Sequence, residues 1–599
     1  MPTMSSFDFS FGAQLIAPNR TRFRIWAPSL QQASVEIDGL APVAMTPLAD
    51  GWFEAEADCG AGARYRYRIG DDLAVPDPAS RAQAGDIHDP SIVCDPAGYR
   101  WQNAAWNGRP WHETVLYELH PGLCGGFAGI RQRLPALAEL GVTAIELMPV
   151  ADFPGRRSWG YDGVLPYAPD AAYGTPEQLK EMIDAAHGLG LMVFLDVVYN
   201  HFGPDGNYLG AYAASFFRDD IHTPWGQAID FRQRPVRDFF TENALYWLSE
   251  FRFDGLRFDA VHAISEKDWL VEMATRVRAA LPPGRHAHLV LENDDNLAGL
   301  LERSPERLFD AQWNDDGHHA LHVLLTGEAE GYYCGYTDRP TERLARCLAE
   351  GFIYQGEPSP FAEGRPRGEP SSHLPPTSFV LFLQNHDQIG NRAFGERLSV
   401  LADPSALFAA SALLLLSPQI PLLFMGEEFG ATQPFLYFTD HRTPELADAV
   451  REGRRQEFAR FSAFSDPATR ARIPDPNAEQ TFTASMPEPS GALANYWRDR
   501  IKTLLAARHE HIIPRLAGSR AIGAEAIGAA AVVARWRMGN GDALSMAVNL
   551  SANPVPLMPD VFPEAAGGNV LFETEDASRA VLQGDLPAYS FIAILEPAK

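Results

Sequence analysis

Eight short apolar runs, spread along the middle of a 599-residue chain and each ending in polar or ionisable residues, limit what this sequence can fold into. In order they are TVLYELH (114–120), TAIELMPV (143–150), VFLDVVYNH (193–201), GLRFDAVH (255–262), HLVLEN (288–293), AQWNDD (311–316), FVLFLQNHD (379–387) and IPLLFMGEE (420–428). Unbroken apolar runs of this length mark strands buried on both faces of a parallel sheet, and helical patterns lie between them. One helix is well delimited: Thr175 can cap it, Pro176 suits its first turn, Gln178 completes a capping box, and Leu179, Met182, Ile183 and Ala186 form an apolar face before an exit at Gly190. Eight such units predict an α/β fold, a (β/α)8 TIM barrel with long insertions. These barrels place their chemistry at the C-terminal ends of the strands, where the polar residues of each run lie.

Both flanks read differently. Over 21–69 the pattern has period two, with Phe23 and Ile25 opposing Arg22 and Arg24, and Tyr65, Tyr67 and Ile69 opposing Arg64, Arg66 and Arg68. Half-buried strands follow, hence an N-terminal β-sandwich domain over 1–95. The barrel is expected over 96–515, closing with a helix at 493–508. A C-terminal β-sandwich domain is expected over 520–599, where 531–550 reads as two strands joined across Gly539-Asn540-Gly541-Asp542 and 589–595 as another.

Composition narrows the function. A chain with 46% hydrophobic and 21% charged residues can bury a large core, and its net charge of −27 argues against a partner bound through phosphates, so no nucleic acid is expected. The five cysteines show no CxxC spacing, which suggests neither a disulfide framework nor a zinc site and fits a reducing cytoplasm. The first residues, MPTMSSFDFSFG, lack a basic segment followed by an apolar one, so no signal peptide is visible. The most apolar stretch, 406–424, is cut by Pro418 and Pro421, too short for the ~20 residues a bilayer requires, and reads as a buried helix and strand.

The strand ends carry Asp259, Glu292 and Asp387 with Arg257, His201 and His386. Cleavage of a glycosidic bond needs such a set: one carboxylate stabilises or attacks an oxocarbenium-like carbon, and another, kept protonated, donates to the leaving oxygen. Arg257, two residues before Asp259 on a strand, points the same way and can keep that carboxylate ionised. A lone carboxylate usually caps a helix or holds a loop, but all of these at successive strand ends favour chemistry. Asp315, Asp316, His318, His319 and His322 have metal-ligand chemistry without a metal-site register, and sugar hydroxyls or a structural network suit them better. Tyr332, Tyr333 and Tyr336 read equally as core aromatics or as sugar-stacking faces.

DVVYNH (196–201), GLRFDAVH (255–262), LVLEND (289–294) and FLQNHD (382–387) resemble, in order, the four sequence regions of the α-amylase superfamily of glycoside hydrolases. The resemblance implies a retaining mechanism with Asp259 as nucleophile, Glu292 as general acid/base and Asp387 as the third carboxylate holding the reacting sugar. It also implies that Arg257, His201, His262 and His386 contact the sugar or its neighbours, that Tyr161 stacks on it, and that Asp196 and Asn200 support the loop. YELHPG (117–122), WGYDG (159–163), WNDDGHH (313–319), TGEAEGYYCGY (326–336), QNHDQIGNR (384–392) and GRRQEF (453–458) together resemble the malto-oligosyltrehalose trehalohydrolases across essentially the whole chain. Pro121, Gly317 and Asn293 depart from that pattern, where a small β-branched residue, an aromatic and an aspartate are usual.

That family hydrolyses the α-1,4 bond next to the terminal trehalose of a maltooligosyl trehalose, which implies that substrate, no cofactor and no metal, and functional pairing with a maltooligosyl trehalose synthase. Trp313, Asp315, Asp316 and His319 are then expected to line the leaving-group side. A glycogen branching enzyme, a broader amylase-like α-1,4-glucan hydrolase, and a catalytically silent sugar-binding protein of amylase descent are the alternatives.

Overall fold

The computed structural model describes residues 9–70, 73–302, 308–360, 362–489, 491–558, 561–563, 567–574 and 576–598. Most of the N-terminal stretch read for a leader, 1–8, lies outside them. Each of the eight apolar runs forms a strand: β1 (Leu116–Leu119), β2 (Ala144–Leu147), β3 (Met192–Val197), β4 (Gly255–Phe258), β5 (His288–Leu291), β6 (Ala311–Trp313), β7 (Phe379–Phe382) and β8 (Ile420–Phe424). They pair in parallel, in chain order, and β8 returns to β1 to close a barrel. The runs read as unbroken apolar because both faces are buried, one under helices and one in the barrel interior. Interior side chains include Leu116, Ala144, Met192, Phe194, Val290, Val380 and Leu422, which form one apolar cluster below the functional end.

The helix marked by sequence is α1 (Pro176–Gly188), with both hydrogen bonds of the capping box made and Leu179, Met182, Ile183 and Ala186 buried. Before the barrel, two antiparallel sheets pack face to face. Strand Arg20–Trp26 lies in one and Arg64–Ile69 in the other, and the Phe23 and Tyr65 rings meet with centroids 4.9 Å apart while the intervening arginines turn outward.

After the barrel, the helix Gly491–Ala507 leads to a five-stranded antiparallel sheet that includes the expected pair Ala531–Arg537 and Ala543–Asn549 and the strand Ser590–Glu596. Strand alternation gives this sheet two apolar faces. Val533, Ala547, Ile592 and Ile594 pack under Leu557, Phe562 and Val581, whereas Val532, Met546, Phe591 and Ala593 join the main core. On that second side lies α2 (Pro404–Leu416), buried all round from Ala406 to Leu416. Among the described residues no helix is long and apolar enough to cross a membrane.

Gly255 opens β4 where the Phe194 ring crosses the barrel, and a Cβ there would sit 2.1 Å from the Phe194 Cε1. Gly255→Ala is expected to cost about 1–3 kcal/mol through overpacking, read as a lower denaturant midpoint with unchanged slope.

Candidate active site

Arg257 is fully buried at the end of β4, and its guanidinium is the centre of the strand-end cluster. Nη1 lies 2.7 Å from Asp196 Oδ2 and 2.9 Å from Asp259 Oδ1, Nη2 lies 2.8 Å from Glu292 Oε2, and the group sits 4.3 Å over the Trp313 ring. Asp259 follows β4 directly, and its Oδ2 accepts from Asn200 Nδ2 at 2.7 Å. The next residue, Ala260, adopts the left-handed region at φ +40°, rare for a side-chain-bearing residue, and thereby aims its N–H at Glu292 Oε2 at 2.7 Å.

The two carboxyls are driven apart. Burial pushes Asp259 up, but the Arg257 and His201 charges and the Asn200 hydrogen bond outweigh it and hold Asp259 below the usual carboxylate range. At Glu292 burial prevails, and with the Asp259, Asp387 and Asp315 charges adding to it the carboxyl is held well above that range despite Arg257.

A second cation lies across the site. His386 donates from Nδ1 to Glu118 Oε1 at 2.5 Å, and its Nε2 lies 2.8 Å from the Tyr161 hydroxyl, which donates to Asp196 Oδ2 at 2.6 Å. Burial disfavours its charge, yet Glu118 raises the imidazole to about 9, so it is an imidazolium at neutral pH. Its ring stacks on Tyr161 at 5.1 Å. Asp387, the next residue, has a side chain 40% exposed and facing the cavity mouth. His201 donates from Nε2 to the Tyr161 carbonyl at 3.0 Å and stacks on the exposed Trp225 at 4.7 Å.

Beside these groups opens a cavity of about 560 Å³, lined by His262, Glu292, Asp315, His319 and Asp387, by Tyr332, Tyr333, Tyr336, Arg367, Gln388 and Arg392, and by Phe458, Phe461 and Phe464. Asp315 accepts from Gln388 Nε2 at 3.0 Å and is raised to about 7 by burial and the neighbouring Asp294 and Asp387 charges. His319 stacks on Tyr336 at 4.7 Å and His322 on Tyr333 at 4.0 Å, which fixes the tyrosine-bearing segment against the helix Asp315–Thr326.

Two expected wall residues are placed elsewhere. Trp313 is 1% exposed and forms the floor beneath Arg257, because its strand position faces the barrel interior. Asp316 is also 1% exposed and lies behind the lining residues Arg367 and Tyr336 rather than on the cavity wall. It accepts from Arg367 Nη1 at 3.0 Å, Tyr336 Oη at 2.5 Å, Asn296 Nδ2 at 2.9 Å and the Ile353 and Tyr354 N–H groups at 2.7 and 3.1 Å. Gly317 is also explained locally: a Cβ there would meet Leu381 Cδ1 at 2.5 Å and Cys347 Sγ at 3.0 Å. Glu118 and Arg367 were not singled out from sequence. The first stands inside the quoted YELHPG run, where its inward strand position was the available signal; the second lies in an aperiodic loop that offered none. Among the described residues no group of three or more His, Cys, Asp or Glu is arranged to hold a metal ion.

This barrel and its strand-end carboxylates define a member of the α-amylase superfamily, and the alpha amylase catalytic domain family matches residues 95–243, with a domain of unknown function (DUF3459) at 519–592. The malto-oligosyltrehalose trehalohydrolase of Rhizobium sp. (strain M-11) is 37% identical over 596 residues, 95% of this chain and 96% of that protein. The one from Deinococcus radiodurans is 43% identical over 472 residues, 78% of this chain and 76% of its own. A Salmonella typhimurium crystal structure, 44% identical, covers 99% of this chain and 100% of its own with a TM-score of 0.92. The chain belongs to the malto-oligosyltrehalose trehalohydrolase family.

Asp316→Ala would leave Arg367 buried without its strongest partner. A loss of about 3–5 kcal/mol in folding stability is expected, with activity falling equally on every substrate, measured by denaturation and by parallel kcat/KM values.

Proposed function

We propose that this chain hydrolyses the α-1,4-glucosidic bond next to the terminal trehalose unit of maltooligosyl trehalose, releasing trehalose and a maltodextrin with retention of configuration. The observation that carries the reading is the opposed tuning of two carboxyls bridged by one guanidinium: Asp259 is held ionised and Glu292 protonated at the same pH. Asp259 attacks the anomeric carbon while the Glu292 proton passes to the leaving oxygen; water, deprotonated by the same Glu292, then releases the sugar. Asp387 and the His386 imidazolium hold the reacting ring, and Tyr161 offers it a stacking face. His201 backs Tyr161 through its carbonyl.

The family of the relatives, named for the trehalose they release, supports the substrate, and the cavity supports the specificity. A trehalose unit bends at its 1,1 linkage and has no reducing end. A pocket lined by polar His262, Asp315, His319 and Arg392 together with Phe458, Phe461 and Phe464 can reward that shape, since polar groups left unpaired by maltose weigh far more than a lost methylene. With this reading go a division at 1–95, 96–515 and 520–599, a cytoplasmic setting and functional pairing with a synthase that makes the substrate. Incubation with maltooligosyl trehalose beside plain maltodextrin tests the reading: free trehalose supports it, and chain-length redistribution without trehalose, as a branching enzyme gives, sinks it.

Asp259→Asn and Glu292→Gln are each expected to lower kcat by at least about a thousandfold, or about 4 kcal/mol, with the fold and substrate binding kept. Near-normal turnover in either variant rejects the assignment. The new reducing end should appear first as the α-anomer by proton NMR.

The pH profile follows from the same shifts. Activity should fall on the acid side only below the ordinary aspartate range, as Asp259 takes a proton, and on the alkaline side well above the ordinary glutamate range, as Glu292 loses one. An alkaline limb near pH 4–5 would contradict it.

A further inference from the structure

Below the reacting groups, β2 brings Glu146 into the barrel interior, where it is completely buried and neither of its carboxyl oxygens receives a hydrogen bond from any of the described residues. On the adjacent strand the same is true of one atom of a residue the mechanism uses: Asp196 Oδ2 is held by Arg257 and Tyr161, but its buried Oδ1 has no partner among the described residues. Orphaned buried polar atoms are rare, and two neighbouring carboxyls lacking donors point to one cause. Glu146 pairs in register with Phe194, so Asp196, two residues further on, presents its side chain to the same interior face one step higher, within reach of a glutamate.

We infer that Glu146 is a positioning residue that carries a proton and donates it in a hydrogen bond to Asp196 Oδ1, completing the set of donors that fixes Asp196 against Arg257 and Tyr161. The surrounding charges require this. Glu118 from β1 and Asp196 from β3 face Glu146 as anions, while Arg257 from β4 and His386 from the segment after β7 face it as cations already engaged by Asp196, Asp259, Glu292 and Glu118. Among the described residues no cation facing Glu146 is left to compensate a further buried negative charge. Burial, with the Glu118 and Asp196 charges behind it, accordingly holds the Glu146 carboxyl well above the carboxylate range. With that proton in place Asp196 is held at both oxygens, so Arg257 and the Tyr161 hydroxyl are fixed from below without any contact between Glu146 and sugar.

The inference rests on the proposed roles of Asp259, Glu292 and Tyr161, and the test separates the two. Glu146→Gln keeps a donor, whereas Glu146→Leu keeps the volume and removes it. Infrared difference spectra between the resting wild type and Glu146→Gln at pH 7 to 8 should show, apart from the Glu292 contribution that both share, one protonated-carboxyl carbonyl band present in wild type and lost in the variant. This readout needs no turnover, so it stands or falls apart from the proposed activity. In kinetics, Glu146→Gln should keep kcat within about threefold, and Glu146→Leu should lose roughly ten- to hundredfold in kcat with little change in KM. Absence of that band from the difference spectrum, equal impairment of the two variants, or wild-type kcat in a folded Glu146→Leu would overturn the inference. If Glu146→Leu fails to fold, the band and the Glu146→Gln rate still decide.

Discussion

The guanidinium of Arg257 is the group on which the site depends. One buried cation touches three carboxyls on three strand ends and rests on an indole. At an effective dielectric near 20, each such contact is worth about 4 kcal/mol, enough to offset much of the cost of burying an anion but not enough for three of them. The cluster therefore cannot hold every carboxyl ionised. Asp259, with His201 and Asn200 added to Arg257, keeps its charge; Glu292, with two further anions facing it, keeps its proton. Which carboxyl stays ionised and which stays protonated is thus a matter of which one runs out of compensating charge first.

The His386 imidazolium repeats the arrangement on the other side of the barrel. Glu118 plays the part of the counter-ion, and Tyr161 joins the two halves by accepting from His386 and donating to Asp196. Because both cations are anchored on strand ends, the geometry of the site follows from the closure of the barrel. The loops contribute shape rather than charge placement.

Much of this was legible in the sequence because buried parallel strands announce themselves as apolar runs, and the polar residues closing each run must lie at one end of the barrel. The α1 capping box, the hairpin at Gly539–Asp542 and the alternation at 64–69 were readable for equally local reasons. What could not be read was orientation. Asp315 and Asp316 are neighbours on one helix, about 100° apart around its axis, so one faces the cavity and the other faces Arg367. A motif that contains both cannot say which does which. Trp313 was hidden by the same limit, since strand alternation fixes a face but the sequence does not label the interior one. Arg367 and Tyr336 arrive from segments without periodicity, and only the folded chain shows that they meet.

The helix α2 and the last sheet are coupled in the order in which the chain is made. α2 is apolar on every side because the barrel covers one face and the C-terminal sheet the other. Strand Ser590–Glu596, paired with Ala543–Asn549 at the centre of that cover, leaves the ribosome long after α2. Until then a whole face of α2 has nothing to lie against, and the step from α2 to β8 that closes the barrel is made next to uncovered leucines. Strand Ser590–Glu596, outside the strand-end cluster, therefore governs how long a nascent copy stays exposed to aggregation and to chaperones.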